Sequence, residues 1–66
     1  MAKLTRREQQ VVALLAQGKR QTEIARTLVV STRTIEAHVR NARAKTGASS
    51  AFDLAVKAAV EAVSKK

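Results

Sequence analysis

The sequence predicts an all-α fold of four helices, and three features of the chain point to that class. Its 66 residues contain no proline and two glycines, and alanine, valine and leucine supply most of the apolar content, a composition that favours helix over sheet. No Asn-Gly or Asp-Gly pair indicates a β-hairpin. Apolar residues recur at intervals of three and four, which is the spacing that builds one face of an amphipathic helix.

Residues typical of helix ends set the expected bounds. Thr5 and Glu8 have the spacing of a capping box, and Ser31 stands where an N-cap would begin the third helix. Gly18 and Gly47 suit the left-handed position that ends the first and third helices. The four helices are therefore predicted over residues 6–17, 22–28, 32–46 and 51–63.

The fourth helix is predicted to have two apolar faces. Ser50 and Asp53 again have the capping-box spacing, and the charged residues of this helix follow one another at four-residue intervals. The rest of its circumference is apolar over more than half a turn, whereas a helix packed on one side needs a stripe of about 100°. One face is expected to meet the core and the other a second copy of the chain; the alternative is an alanine-rich helix with partly exposed valines. The residues expected between copies are Val56, Ala59, Val60 and Val63.

The charge and the residue inventory restrict the function. The formal net charge is +8, so a polyanion is the expected partner, nucleic acid first and an anionic membrane surface second. Phe52 is the only aromatic residue, and because binders of single strands stack bases on aromatic rings, a double-stranded partner is expected. The chain has no cysteine and one histidine, which excludes disulfides and clusters of thiolate or imidazole metal ligands. No metal, no cofactor and no enzymatic activity are expected.

The length and the N-terminal sequence bear on organisation and location. A chain of this size forms one domain at most, and residues 1–66 are expected to form it. No run of about 18 apolar residues spans a membrane, and the first residues lack the apolar stretch of a signal peptide. The protein is therefore expected in the cytoplasm, at the nucleoid.

A short helix, a tight turn and a longer basic helix form the pattern of a helix-turn-helix. In that motif the second helix enters the major groove of DNA with its N-terminal half at the bases, so this half needs small or hydrogen-bonding side chains. Arginine suits guanine O6 and N7, and glutamate accepts from cytosine N4. The residues expected to contact bases are Arg33, Glu36, Ala37 and Arg40.

Several of these polar residues have a second interpretation. Arg33 fits a phosphate contact as well as a base edge, and Arg40 fits an exposed surface cation. Glu36 fits a capping role or a pair with Arg40, four residues further on. His38 is expected to pack against the core rather than to contact the DNA backbone. Asn41 fits a phosphate contact or a buried hydrogen-bonding position equally.

Three strings of residues extend over more than four-fifths of the chain. They are Leu4-Thr5-x-Arg7-Glu8-x-x-Val11-x-x-Leu14-Leu15-Ala16-x-Gly18, Glu23-Ile24-Ala25-x-x-Leu28-x-Val30-Ser31, and Thr34-Ile35-Glu36-x-His38-Val39-x-Asn41 followed by Lys45-x-Gly47. With this spacing the chain resembles the LuxR-type helix-turn-helix domain, which also occurs in NarL/FixJ response regulators and in the spore regulator GerE.

The resemblance implies a four-helix domain whose third helix reads DNA and whose fourth helix often dimerises. It implies base contacts at Glu36, Ala37 and Arg40. Arginine is common in the family at the position of Ala51, so a pairing across the domain with Glu8 is expected to be lost. The residues that it implies as phosphate contacts are Lys19, Arg20, Thr22, Thr32, Thr34 and Arg43.

Four functions compete at this point. The first is sequence-specific binding of double-stranded DNA by a transcription regulator, as a homodimer on inverted half-sites, with the chain either free-standing or cut from a longer regulator. The second is a nonspecific nucleoid-type or mobile-element DNA-binding protein, which lacks the ~10³-fold preference of a regulator for its site. The third is an interaction module whose basic face meets an acidic partner such as RNA polymerase. A basic amphipathic membrane binder is disfavoured, because no bulky aromatic residue accompanies the basic face for insertion.

Overall fold

The computed structural model describes the backbone of residues 3–64 and the side chains of residues 3–61. Within these residues the chain contains helices and no strand, so the predicted all-α, four-helix class is confirmed. Each predicted helix bound lies within one residue of the observed one. The helices are α1 (Arg6–Ala16), α2 (Gln21–Leu28), α3 (Thr32–Thr46) and α4 (Ala51–Ser64).

One hydrophobic core holds the four helices together. α1 packs against all three other helices, and α3 packs against α1, α2 and α4. The largest fully buried side chains are Val11, Ile24, Ile35 and Leu54, one from each helix. Burial of each such side chain contributes about 2 kcal/mol. The shared core therefore fixes one side of α3 among its neighbours and leaves the opposite side in solvent.

The ends of α1 satisfy backbone groups that the helix itself leaves free. Thr5 Oγ1 accepts from the Glu8 N–H at 3.1 Å, and Glu8 Oε1 accepts from the Thr5 N–H at 2.9 Å, so the predicted capping box is confirmed. At the other end Gly18 has φ of +89°, which a residue without a Cβ adopts at little cost. The Lys19 N–H then donates to the Leu14 carbonyl at 3.1 Å, which closes the helix in a Schellman motif.

The turn between α2 and α3 contains a strained residue. Val29 adopts left-handed angles, φ 57° and ψ 49°, a conformation in which a β-branched side chain is rarely found. Its side chain is 88 % exposed, whereas Val30 packs against the core. The Val30 N–H donates to the Ala25 carbonyl at 2.9 Å. Ser31 Oγ accepts from the Thr34 N–H at 3.1 Å and begins α3 as predicted.

The start of α4 differs in one detail from the predicted capping box. Ser50 Oγ accepts from the Asp53 N–H at 3.0 Å, as expected. The Asp53 carboxylate, however, accepts from the Ser49 N–H at 2.9 Å instead of from the N-cap residue Ser50. The cap is therefore one residue wider than the pattern predicts, and its hydrogen bond to Ser49 holds the loop between α3 and α4.

Candidate nucleic-acid interface

The solvent side of α3 carries polar side chains that have no partner among the residues that the structure describes. Arg33, Glu36, Ala37 and Arg40 are all exposed because they lie opposite the buried Ile35. Among the side chains of residues 3–61, none of the three charged ones takes part in an ion pair or a hydrogen bond. The pair between Glu36 and Arg40, one of the two alternatives for Glu36, is therefore not formed in this structure. The outer face of α3 therefore presents two guanidinium groups, one carboxylate and the methyl group of Ala37, and the three charged groups have no partner among the described residues.

The N-terminus of α2, the helix that precedes α3, also carries positive charge. Lys19, Arg20 and Thr22 are exposed there. Glu23 Oε1 accepts from the Arg20 N–H at 2.9 Å, which caps the helix and neutralises part of the local field. The remaining free N–H groups of the first turn and the two cationic side chains make this helix end suited to an anion such as phosphate.

The first turn of α3 presents hydroxyl groups together with its own free N–H groups. Thr32 and Thr34 are half-buried, and Thr34 Oγ1 lies 2.9 Å from Ser31 Oγ in a hydrogen bond. The first four N–H groups of a helix have no partner inside it. Both helices of the motif therefore offer hydrogen-bond donors and positive dipole ends.

Residues 2–58 match the family model described as "Bacterial regulatory proteins, luxR family". The match covers well over half of the chain. The chain belongs to the luxR family. The resemblance seen in the three sequence strings is thereby confirmed, and membership makes the chain a DNA-binding domain of a transcription regulator. No match was found among the curated proteins or among the solved structures.

The described residues of this luxR-family domain form neither a cluster of metal ligands nor a membrane-spanning helix. Among residues 3–61, no three metal-ligating side chains come together. No helix within the described part of the chain is long and apolar enough to cross a membrane.

Arg43 of the luxR-family domain is engaged inside the fold. Its Nη2 donates to the Ser49 carbonyl at 2.7 Å, and its Nε is buried without a partner among the described atoms. Arg43 therefore ties the end of α3 to the loop before α4. The resemblance implies that Arg43 contacts phosphate. Because its guanidinium group already donates to the Ser49 carbonyl, such a contact would use the outer edge of the group.

Glu8 and Lys45 form an ion pair that neither spacing nor resemblance assigned. Lys45 Nζ lies 2.7 Å from Glu8 Oε1, and 4 % of the Glu8 side chain is exposed against 28 % of the Lys45 side chain. The hydrogen bond from Lys45 lowers the pKa of Glu8, and the backbone N–H of Thr5 adds to this, while burial acts in the opposite direction. The expected loss of pairing for Glu8 is wrong, because Lys45 on α3 supplies the cation that Ala51 lacks.

The outer face of α4 in this luxR-family domain is apolar and exposed. Val56 and Val60 are 43 % and 62 % exposed, and Ala59 is exposed as well. Val63, the fourth predicted interface residue, lies outside the residues whose side chains the structure describes. Phe52 is 79 % exposed and stands four residues before Val56 on the same face. Phe52 is not among the interface residues predicted from the sequence, although its four-residue spacing from Val56 places it on the same face of a helix.

Proposed function

We propose that this luxR-family domain binds double-stranded DNA in a sequence-specific manner, with α3 in the major groove. The observation that supports this most strongly is the set of unpaired groups on the outer face of α3. Arg33, Glu36 and Arg40 expose donors and acceptors without a partner among residues 3–61. Desolvated polar groups must find hydrogen bonds, and base edges in the groove offer them.

The shape of α3 fits this role. A helix with its side chains is about 10–12 Å across, and the major groove is about 12 Å wide. Ala37 and Ala44 are exposed on the same side as Arg33 and Arg40, so the helix backbone approaches the base edges between the two arginines. We assign Arg40 to a guanine, because its fork matches O6 and N7. Arg33 stands about two turns nearer the helix start, within reach of a base or a phosphate.

Glu36 favours a specific reader over a nonspecific binder. A carboxylate without a partner, in the middle of a surface that meets a polyanion, lowers the affinity for every DNA sequence by repulsion. It is useful only where it accepts a hydrogen bond, and cytosine N4 is the base donor that matches it. We therefore propose Glu36 as a contact that selects cytosine, and Ala37 as an apolar neighbour in the same groove.

The phosphate contacts are proposed at the helix ends that flank this face. Helix N-termini bind phosphate through free N–H groups and their dipole. Each neutralised phosphate releases counterions, so affinity falls as salt rises, with a slope of about −0.9 per contact. The residues proposed for these contacts are Lys19, Arg20, Thr22, Thr32, Thr34 and the outer edge of Arg43.

We also propose that two copies bind inverted half-sites through α4. The exposed stripe of Val56, Ala59 and Val60 supports this, because an apolar face of that length is otherwise left in water. Val63 belongs to the same proposed contact by its spacing. Two-fold symmetry of the protein then requires half-sites about one helical turn apart. We propose the cytoplasm, at the nucleoid, as the location and RNA polymerase as a further protein partner.

A selection experiment tests sequence-specific binding. The chain is incubated with a random duplex library, bound DNA is enriched over several rounds, and the affinities for enriched and random duplexes are compared by fluorescence anisotropy at physiological salt. A specific reader is expected to prefer its site by ~10³-fold or more. If no sequence is enriched, and all duplexes bind alike, the chain is a nonspecific nucleoid-type or mobile-element binder instead.

A further inference from the structure

We infer that Asn41, on the outer side of α3, is a specificity-determining residue that reads adenine in the major groove: its side-chain oxygen accepts from the N6 amino group and its side-chain nitrogen donates to N7. The inference rests on the sequence-specific binding proposed above. It adds a required base to the preferred site, through a residue that neither the helix-turn-helix pattern nor the luxR resemblance assigned to the bases.

The side chain of Asn41 lies in solvent and takes no part in holding the fold. It is exposed, so the buried position, one of the two alternatives for Asn41 from the sequence, is wrong. Within the part of the chain whose side chains the structure describes, its amide makes no hydrogen bond. Both the donor and the acceptor of this amide are therefore available to a ligand.

The position of Asn41 on the helix places it beside the proposed base contacts. Arg33, Arg40 and Ala44 form the middle of the exposed face of α3. At 3.6 residues per turn, Asn41 lies about 80° to one side of this line and Glu36 about 60° to the other. Asn41 therefore borders the face from which Arg40 is proposed to read guanine, on the side opposite to Glu36.

Small neighbours allow a short side chain to reach the bases. Asparagine is much shorter than arginine, so it reaches a base edge only where the helix backbone comes close to the DNA. Ala37 precedes Asn41 by four residues and Ala44 follows it by three, the spacings at which side chains are neighbours on a helix. Both alanines are exposed. Because each has only a methyl group, neither holds the helix away from the groove at Asn41.

The chemistry of the amide distinguishes adenine from the other bases. Asparagine has an acceptor oxygen and a donor NH₂ group, and both need new partners when water leaves the interface. Adenine presents an acceptor at N7 beside a donor at N6, which match the amide pairwise. Guanine O6 and N7 and thymine O4 only accept, and cytosine N4 only donates. Adenine is therefore the base whose edge satisfies both the oxygen and the nitrogen of Asn41.

A phosphate contact, the second alternative from the sequence, uses this amide less completely. Phosphate oxygens only accept, so the side-chain oxygen of Asn41 would face the negatively charged backbone without a donor. A neutral amide also neutralises no phosphate and releases no counterions. The cationic side chains and helix ends proposed above serve that purpose better, and the neutral residue is assigned to a base.

Parallel selection from a random duplex library tests the assignment. The wild-type chain, Asn41→Ala and Gln10→Ala are taken through the same rounds of enrichment. Gln10→Ala is the matched control, because it removes an exposed amide from α1. Alanine has a higher helix propensity than asparagine, so Asn41→Ala is expected to fold, which its Tm checks. Wild type and Gln10→Ala are expected to require adenine at one position, and Asn41→Ala is expected to lose this preference by about tenfold.

A modified base identifies the atoms of the contact. 7-Deazaadenine at the identified position removes the N7 acceptor and keeps the N6 amino group. Fluorescence anisotropy compares the enriched duplex with adenine and with 7-deazaadenine at that position. The analogue is expected to weaken binding of the wild type several-fold and to leave the affinity of Asn41→Ala unchanged. Equal weakening of both proteins would mean that another residue reads this adenine, and would overturn the inference.

The remaining outcomes separate this inference from the proposed function. If wild type and Asn41→Ala enrich the same site with the same base preferences, the adenine contact is overturned and sequence-specific binding stands. The same conclusion follows if Asn41→Ala binds every duplex more weakly by one common factor, which is the result expected of a phosphate contact. If the wild type enriches no sequence, sequence-specific binding fails, and the adenine contact fails with it.

Discussion

The N-terminal half of α3, residues 32–40, and its C-terminal half, residues 41–46, each contain two arginine or lysine residues, but these residues differ in their partners. In the N-terminal half, Arg33 and Arg40 have no partner among the described side chains. In the C-terminal half, Arg43 donates to the Ser49 carbonyl and Lys45 to the Glu8 carboxylate, both at 2.7 Å. Basic residues a single turn apart are therefore unpaired at one end of the helix and bonded within the fold at the other, among the described residues.

The turn before α3 also differs from the residue that ends α3, because its backbone is strained. Val29 keeps a strained left-handed backbone and an exposed side chain at this end, whereas Gly47 ends the helix at +77° without such strain. The half that is proposed to meet DNA thus contains the unpaired basic residues, and the other half contains the basic residues that are bonded within the fold. The number of arginine and lysine residues is the same in both halves, so the contribution of each basic residue has to be argued from its partner.

The largest expected effect on stability comes from breaking the pair at the C-terminal half. Lys45→Met leaves the Glu8 carboxylate buried without its cation. Removal of one partner from a fully buried pair costs about 3–5 kcal/mol, and the partial exposure of Lys45 reduces this to about 2 kcal/mol. In a domain of this size that corresponds to about 10 °C in Tm, measured by circular dichroism. Arg40→Ala is the control, expected within about 0.5 kcal/mol of wild type.

An unchanged Tm for Lys45→Met, combined with weaker DNA binding, would move Lys45 from the fold to the interface. The contrast between the two halves of α3 would then fail at its best-defined contact.

The pH dependence of stability reports on the same pair. Because the pKa of Glu8 lies below its ordinary value in the folded chain, the contribution of Glu8 to stability is present above the unfolded pKa. It is lost as the pH falls through the folded pKa. Urea midpoints are therefore expected to fall from neutral pH to about pH 3, and more steeply in wild type than in Glu8→Gln. The pKa of Asp53 is also lowered, first by the hydrogen bond from the Ser49 N–H, and this part persists in both proteins. Parallel pH curves for the two proteins would show that Glu8 is not coupled to folding.

Relief of the strained turn is expected to give the smallest effect. Val29→Gly removes a Cβ that is disfavoured at φ 57°, which stabilises by about 1 kcal/mol after the added flexibility of the unfolded chain is subtracted. Val30→Gly is the matched control and is expected to destabilise, because Val30 packs against the core. Urea unfolding compares the two. Destabilisation by Val29→Gly would mean that the Val29 side chain has a contact the strain argument overlooks.

The helices were predictable because their ends are encoded locally. The residues that mark the helix ends each act within four residues of that end, so they can be recognised from the local sequence. These residues are Thr5 with Glu8, Ser31 before α3 and the two glycines. The outer face of α3 was predictable for a related reason: helical periodicity determines that Arg40 lies opposite Ile35. Nothing beyond the helix itself is needed to place these side chains.

The contacts that escaped prediction join residues far apart or depend on backbone detail. Lys45 and Glu8 are separated by 37 residues, and their meeting depends on how α1 packs against α3. The bond from Arg43 to Ser49 depends on the path of a loop that no periodic pattern describes. The strain at Val29 arises because the short turn needs left-handed angles at a position where the sequence has valine.

The most direct test of α3 as the reader is the affinity of Arg40→Ala for the enriched site and for versions of that site altered at each base pair in turn. Arg6→Ala removes one exposed arginine from α1 and is the matched control for net charge. Arg40→Ala is expected to lose discrimination at one base pair, by ~1–3 kcal/mol, and to keep the wild-type Tm. Arg6→Ala is expected to keep the full pattern of discrimination. If Arg40→Ala and Arg6→Ala weaken binding to every duplex equally, the outer face of α3 does not read bases, and the central claim is contradicted.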